Sequence, residues 1–353
     1  MSLVQTLPPG PIDIVGDIHG EYNALENLLH HLGYDSFGNH PDGRYLVFVG
    51  DFCDRGPDSP AVLSLIRQFV KSNKAMAVLG NHEINLLRGD AKDGSGWYFQ
   101  ERYERDKIRY APFEVLSAEG KPELVAFLND LPIALEREDI RIIHAAWIDE
   151  KIQSIRQTQL GNVGSAFLEW DKISRARAAE YLPAMEKEAS AWRHDLALFS
   201  FEPPNFPAHA EYAAAIQMEN PIKVLTAGVE KAGTSPFYSS GRWRFAERVQ
   251  WWNQYSDDIP VVIGHYWRKF GFPVAPQSAK LDPDLFEDYS PESWHGARRN
   301  VFCVDYSIGG KFALRKYGNG DKLTCRLAAL RWPEQTLHFD NGDIVATSNF
   351  KVI

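Results

Sequence analysis

The sequence predicts an α/β fold in two β-rich halves, with helices outside and a largely helical insertion between them. Three observations predict it. Short apolar runs alternate with amphipathic helices over residues 12–79. Each run ends in a glycine followed by side chains competent to bind metal. Sheet character then returns in the last third of the chain, after a long stretch rich in Ala and Glu.

In order, Ile12 to Val15 reads as a short β-prone strand ending in Gly16-Asp17-Ile18-His19-Gly20. Leu25, Leu28, Leu29 and Leu32 recur at helical spacing, which makes Glu21 to Leu32 an amphipathic helix stopped by Gly33. Tyr34 to Arg44 is a polar loop. The apolar run Tyr45 to Val49 reads as a buried parallel strand leading into Gly50-Asp51-Phe52-Cys53-Asp54-Arg55-Gly56. Asp58 or Ser59, with Pro60, starts a helix whose buried face is Val62, Leu63, Leu65, Ile66 and Phe69. Ala75 to Leu79 is a third strand, ending in Gly80-Asn81-His82-Glu83. This βαβαβ pattern argues for a sheet with right-handed crossovers.

Arg88 to Lys121 is polar and mixed, Pro122 to Asn129 a short helix, and Arg141-Ile142-Ile143 a strand ending at His144. A single domain is expected over residues 1–353, with the insertion at about 147–250. Trp147 to Asn220 is largely helical, broken by Pro203, Pro204 and Pro207. Sheet character is expected at Ile222 to Thr226 and at Val261 to Ile263, which runs into Gly264-His265. Phe270 to His295 is a Pro-rich loop. Val301 to Tyr306, Lys311 to Tyr317 and Leu323 to Leu330 read as β, and Asn341-Gly342 as a hairpin turn.

The chain has 353 residues with 44% hydrophobic content, ample for one large core. Its net charge of -9 makes it a poor generic binder of nucleic acid or anionic membrane. A phosphate-bearing substrate must then be attracted locally, by metals or a few arginines. Cys53, Cys303 and Cys325 lie far apart and form no CxxC pair, which argues against a disulfide scaffold and suits a reducing, cytoplasmic compartment. Met1 to Gly10 lacks the basic and apolar regions of a signal peptide, and no run reaches the length of a membrane span.

Asp17, His19, Asp51, Asn81, His144 and His265 all sit just past strand ends. A lone histidine in such a place reads as a hydrogen-bonded structural residue, and Asn81 alone as a helix cap. Six together suit one or two borderline divalent ions: Mn first, with Fe, Zn, Co or Ni as alternatives. No thiolate is among them, which speaks against a structural zinc knuckle. Asp51, on the central strand, is the natural bridge. Two ions about 3.5–4 Å apart can clamp a phosphoryl group between them.

The three motifs Gly16 to Gly20, Gly50 to Gly56 and Gly80 to Glu83, in that order, resemble the signature of the calcineurin-like metallophosphoesterases. The resemblance lies with the branch holding the serine/threonine phosphoprotein phosphatases and the bacterial symmetrical diadenosine tetraphosphate hydrolases. Cys303 to Lys311 looks like the closing strand pair of the bacterial members. The resemblance implies a four-layer α+β arrangement in which two β-sheets form a sandwich flanked by helices. It also implies roles. Asp17, His19 and Asp51 would hold one metal, and Asp51, Asn81, His144 and His265 the other. His82 would protonate the leaving oxygen, oriented by Asp54. Arg55, with Asn81 and His82, would hold the phosphate oxygens. The implied reaction is attack of a metal-bound hydroxide on phosphorus with no covalent intermediate.

Two departures from the eukaryotic pattern lean toward the bacterial branch. Val78-Leu79 stands where an arginine is usual, and His144-Ala145-Ala146 where a His-Gly-Gly run is usual. Arg242, Arg244 and Arg248 are candidates for a second phosphate arginine or for a solvated face. Cys53 reads as a small buried hydrophobe, or else as a redox-sensitive thiol. Trp243, Trp251, Trp252 and Trp267 are expected to gather near His265, as core or as a stacking wall for a ring. The leading expectation is a phosphomonoesterase acting on phosphoprotein or phosphopeptide (Ser/Thr or Tyr). Alternatives are a dinucleoside polyphosphate or other nucleotide hydrolase, a phosphoesterase on RNA ends, and an inactive binding module.

Overall fold

The computed structural model describes residues 2–158, 162–239, 241–270, 284–317 and 325–351. In chain order the first elements are β1 (Val4–Thr6), β2 (Ile12–Val15), α1 (Tyr22–Leu32), β3 (Tyr45–Phe48), α2 (Ser59–Lys71) and β4 (Ala75–Ala77). Next come α3 (Asn81–Leu87), α4 (Tyr103–Tyr110), α5 (Lys121–Asn129), β5 (Ala134–Arg137) and β6 (Ile140–Ile143). The helices α6 (Asp149–Arg156), α7 (Val163–Ala178), α8 (Leu182–Ala191), α9 (Pro207–Met218) and α10 (Pro221–Ala227) follow. The chain continues through β7 (Glu230–Ser239), β8 (Arg242–Arg248), β9 (Val261–Ile263), β10 (Val301–Cys303) and α11 (Lys311–Tyr317). It closes with β11 (Ala328–Trp332), β12 (Thr336–Phe339) and β13 (Ile344–Ala346).

Two mixed sheets carry the core. One has the order β13-β12-β11-β2-β3-β4 and the other β1-β5-β6-β9-β10. In the first, β2, β3 and β4 are parallel and β11 runs against β2. In the second, β6, β9 and β10 are parallel. Alternation assigns the faces, because successive side chains point to opposite sides of a strand. Ile12, Ile14, Val47, Val49, Ile142, Val262, Phe302 and Leu330 form one buried cluster between the sheets. Val15, Leu46, Phe48, Ile143, Val261, Ile263 and Cys303 face the other way, into the larger cluster shared with the helices. A strand buried on both faces has no need of polar residues, which is why these runs read as wholly apolar. Helix, sheet, sheet and helix therefore stack in four layers, as expected.

The helix starts follow from caps. Asp58 accepts from the Ala61 backbone N–H at 2.8 Å, with Pro60 next to the first helical position. Gly33 takes a left-handed conformation, φ 97°, after α1. The Asn341-Gly342 turn joins β12 to antiparallel β13, as expected.

Two expectations fail. Ile222 to Thr226 is helix α10 and no strand, because the Asn220 side chain caps the Ile222 and Lys223 N–H groups and Pro221 opens the helix. Lys311 to Tyr317 is helix α11 and no strand; it follows the tight turn at Ile308–Gly310 and packs on α4. Within the segment 147–250, β7 and β8 also pair as an antiparallel hairpin beside α9. Strand limits are also tighter than expected at Ala75–Ala77 and Val301–Cys303. Of the Pro-rich stretch, residues 271–283 lie outside the described residues, as do Leu323 and Thr324 of the strand expected there.

Candidate metal centre and phosphate site

The C-terminal ends of β2, β3, β4, β6 and β9 deliver Asp17 and His19, Asp51, Asn81, His144 and His265 to one place between the two sheets. Hydrogen bonds stitch the ends together. The amides of Ile18 and His19 donate to the Asp51 carbonyl, at 3.0 and 2.9 Å, and Gly264 N–H donates to the His144 carbonyl at 2.8 Å. Several of these residues adopt the left-handed region without being glycine: His19 (φ 48°), Asp51 (φ 50°), Asp54 (φ 72°), Arg55 (φ 69°) and His265 (φ 66°). Each such residue carries strain of order ~1–3 kcal/mol, and such strain concentrates at functional sites. At Gly80, a Cβ would fall 2.2 Å from Asp51 Oδ1, so only glycine lets the third motif approach the second.

Asp51 is the hub. Its Oδ2 lies 3.8 Å from both His19 Nε2 and His82 Nε2, and its Oδ1 lies 3.4 Å from His144 Nε2. Asn81 Oδ1 lies 2.8 Å from His265 Nδ1 and 3.3 Å from His144 Nε2. The Asp17 carboxylate accepts from the His265 backbone N–H at 3.1 Å. Two candidate ligand groups share Asp51: His19, Asp51 and His82, and Asp51, His144 and His265, with ligand atoms in each within 4.8 Å of one another. All six expected metal-binding residues are thus brought together, and His82 joins them.

The donor chemistry fits divalent cations. His19 Nδ1 lies 3.0 Å from the Cys53 carbonyl and His144 Nδ1 2.8 Å from the Val49 carbonyl. Those carbonyls fix the proton on Nδ1, so each Nε2 presents a lone pair to the Asp51 carboxylate. The His19 and His144 Nε2 atoms, the Asp51 carboxylate and the Asn81 amide oxygen then face one another across the strand ends. That is an unfavourable set unless a cation is shared among them, and nitrogen with oxygen donors select the borderline divalent class.

Burial and charge set the protonation states. Burial alone would raise Asp51, but His144, His82 and His19 hold its carboxyl well below the usual range. Burial pushes Asp17 well above that range, with the charges of Asp305 and Asp51 adding to it. His19 and His265 are pushed well below the usual imidazole value by burial, helped by Arg55 at His19 and by Arg248 at His265. Burial opposes charge on His82 and His144, yet Asp51 and Asp54 together at His82, and Asp51 with the Val49 carbonyl and Glu83 at His144, outweigh it and both are raised.

Beside the cluster, His82 Nδ1 lies 2.6 Å from Asp54 Oδ2, which turns Nε2 toward the site. Arg55 spans the mouth, its two terminal nitrogens each 3.3 Å from His19 Nε2 and His82 Nε2. Of the three further arginines, Arg248 bears on His265, whereas Arg242 and Arg244 are exposed on β8. Cys53 is fully buried with its thiol pushed well up by burial, which fits a packed hydrophobe and not a reactive thiol. The expected tryptophan cluster divides. Trp243 packs on Phe199 and Tyr238 in the hairpin region. Trp251 and Trp252 are core, and only Trp267 lies at the site mouth, over Arg55.

Sequence reasoning missed three residues. Asp305 is buried just past β10, with Oδ1 accepting from Ser307 N–H at 2.8 Å; burial, with the Asp51 charge, raises it to about 6. The strand-end rule that selects the other ligands also selects Asp305. Glu83 is buried and accepts from the Asp51, Phe52 and Gly80 amides at 2.9, 2.8 and 3.0 Å, tying the second motif to the third. Trp97 Nε1 donates to Asp54 Oδ1 at 2.6 Å, and nothing in its polar surroundings in the sequence announces it.

Residues 10–170 match the model of the calcineurin-like phosphoesterase family. Among curated relatives, an asymmetrical bis(5'-nucleosyl)-tetraphosphatase of Halalkalibacterium halodurans is 48% identical over 79 residues, 22% of this chain. That match spans only 32% of the relative's length. A symmetrical bis(5'-nucleosyl)-tetraphosphatase of Coxiella burnetii is 26% identical over 277 residues, covering 76% of this chain and 82% of the relative. A solved cold-active protein-tyrosine phosphatase of a Shewanella species covers 99% of this chain and 83% of its own, at 16% identity and a TM-score of 0.46. No described helix is long and apolar enough to cross a membrane.

Proposed function

We propose that this protein hydrolyses phosphoric esters or anhydrides with the help of two divalent cations. The observation that carries the reading is the convergence of nitrogen and oxygen donors on Asp51 beside the Asp54–His82–Arg55 group. Asp17, His19 and Asp51 would hold one cation, and Asp51, Asn81, His144 and His265 the other, with Mn the first choice. Bound there, the cations would polarise a phosphoryl oxygen and make a nucleophile available from water near neutral pH.

The chain's own residues supply the rest. Arg55 reaches across the mouth and binds phosphoryl oxygens through its planar fork. Asn81 and His82 add donors on the same side. His82 carries a proton on Nε2 for the leaving oxygen, while Asp54 holds Nδ1–H and stabilises the imidazolium. Trp97 fixes Asp54 from behind, so the pair keeps its orientation. Burial of the whole set excludes bulk water and strengthens each charge interaction.

For the substrate, the relative that matches most of this chain supports a dinucleoside polyphosphate. Hydrolysis of phosphomonoesters on proteins uses the same residues and differs in what leaves. It is supported by the Arg55 fork, whose terminal nitrogens lie 3.3 Å from His19 Nε2 and His82 Nε2 and are placed to hold a single phosphoryl group. The absence of a described membrane-crossing helix and the acidic net charge agree with a cytoplasmic protein working on diffusible or protein-borne phosphate.

The test is a substrate panel on metal-stripped protein reconstituted with Mn. It includes p-nitrophenyl phosphate, phosphoserine and phosphotyrosine peptides, and diadenosine tetraphosphate. Mn-dependent ADP formation supports the nucleotide reading, and phosphate release from peptide supports the other. Metal-bound protein silent on every substrate would overturn the enzyme reading in favour of a binding module.

A further inference from the structure

Trp267 has no role in the chemistry just proposed, yet its placement is unusual for its type. Of the ten tryptophans, nine are buried or half-buried and Trp267 is 42% exposed. It follows His265 by two residues, so β9 carries it to the site together with that candidate ligand. The Arg55 guanidinium sits over its ring, with the central carbon 5.2 Å from the ring centroid. The same guanidinium reaches His82 Nε2 at 3.3 Å. The ring is therefore one guanidinium away from the nitrogen proposed to protonate the leaving oxygen.

A third segment backs the ring. The tight turn Ile308–Gly310 passes between Trp267 and His19, and its two glycines make this possible. A Cβ at Gly310 would lie 3.5 Å from Trp267 Cζ3 and 3.1 Å from Cys325 Sγ, and one at Gly309 would lie 2.3 Å from His19 Cδ2. The indole is thus held by Arg55 and by the turn, with much of its surface left to water. A large apolar ring left in water beside a charged pocket gives up hydrophobic burial that a ligand can recover.

We infer that Trp267 is a stacking platform for a planar ring carried by the leaving group. The substrate class is then a phosphoric ester or anhydride bearing an aromatic ring, in preference to an alkyl phosphate such as phosphoserine. A nucleobase and a phosphotyrosine ring share this chemistry. The inference rests on the reading of the site as a phosphoester hydrolase with His82 on the leaving-group side. Arg55 gains twice from the arrangement, since the indole face stabilises its cation and keeps its fork aimed at the phosphoryl group.

The test compares Trp267→Leu and Trp267→Phe with the wild type, in the full chain loaded with Mn and checked for folding by circular dichroism. Calorimetric titration with ADP and with inorganic pyrophosphate, each as its non-hydrolysable methylene analogue, reads ring binding without turnover. The expected result is that ADP binds the wild type more tightly than pyrophosphate does. Trp267→Leu should weaken ADP about tenfold, in the range of one base–aromatic stack, and shift pyrophosphate by less than about twofold. Trp267→Phe should restore most of the loss. KM for diadenosine tetraphosphate and for a phosphotyrosine peptide then identifies the source of the ring, because the true substrate's KM rises about tenfold while a phosphoserine peptide's does not. Equal weakening of ADP and pyrophosphate would show that Trp267 only holds Arg55, and would overturn the inference. So would wild-type protein that binds both equally. A wild type that binds ADP through the ring yet turns over nothing would instead count against the hydrolase reading alone.

Discussion

The strand-end cluster and the segment from 147 to 250 are built by opposite means. In the cluster, Asp17, His19, Asp51, His82 and His144 are all 5% exposed or less, and each has a backbone or side-chain partner. In the segment, α8 buries no residue, and Leu182, Leu198, Phe199 and Phe201 are 41–49% exposed. Its own small core is Phe206, Ala210 and Phe245. The difference is one of layers. Strand ends are fixed by the register of two sheets covered on both sides, whereas within the segment α8, α9 and the β7–β8 hairpin pack mainly on one another. Positional precision comes from the first kind of construction, and tolerance of change from the second.

The comparison breaks most sharply at Asp51. Asp51→Asn should lower activity by about a thousandfold or more, since bound cations supply several kcal/mol of charge stabilisation, and leave circular dichroism unchanged. Survival of activity would sink the claim that the cluster converges on this carboxylate. Next in size is His82→Ala, expected to cost about 10²–10⁴-fold. The loss should be least for p-nitrophenyl phosphate, whose leaving group needs little protonation, and a uniform loss across leaving groups would remove His82 from that role.

Phe206→Ala sharpens the other side. Truncating a buried Phe costs about 3–5 kcal/mol in a full core, and here the small core should confine the damage to the segment. Limited proteolysis should accelerate within residues 180–250 while turnover of p-nitrophenyl phosphate stays within about twofold of wild type. Parallel loss of turnover would show that the segment supports the site.

The smallest expected effect concerns a residue buried like the cluster but unpartnered. His295 lies among Trp252, Phe286 and Tyr289 with neither ring nitrogen hydrogen-bonded, and burial, with Arg268, holds it well below the usual imidazole value. Below pH ~6.5 the unfolded chain binds a proton that the folded chain does not, so stability falls as the pH drops through that value. His295→Phe should abolish this term. It should raise stability at pH 5 relative to its effect at pH 8, read from denaturant midpoints. An equal effect at both pH values would show that the histidine does not stay neutral in the fold.

The sequence made the parallel strands and the six strand-end candidates legible, because burial on both faces writes uninterrupted apolar runs and glycines mark where they end. It hid α10 behind the β-prone letters of Ile222 to Thr226, although Asn220-Pro221 was a capping signal in plain view. It hid α11 for a different reason: Lys311 to Tyr317 mixes apolar and basic residues, and its packing on α4 is a long-range fact. Asp305 was legible by the rule already applied to Asp17 and Asp51. Trp97 was not, since its bond to Asp54 spans 43 positions and leaves no local pattern.

One carboxylate also orders the assembly of the site in time. Glu83 can take the amides of Asp51 and Phe52 only when β4 lies alongside β3, since the side chain belongs to the end of one and the amides to the end of the other. During synthesis Asp17 and Asp51 emerge well before it, and His144 and His265 well after. The Glu83 bonds that tie the second motif to the third therefore form only once the third strand has docked. Deuterium at the Asp51 and Phe52 amides should accordingly be among the slowest in the chain to wash out, released only by an opening that parts the two strands.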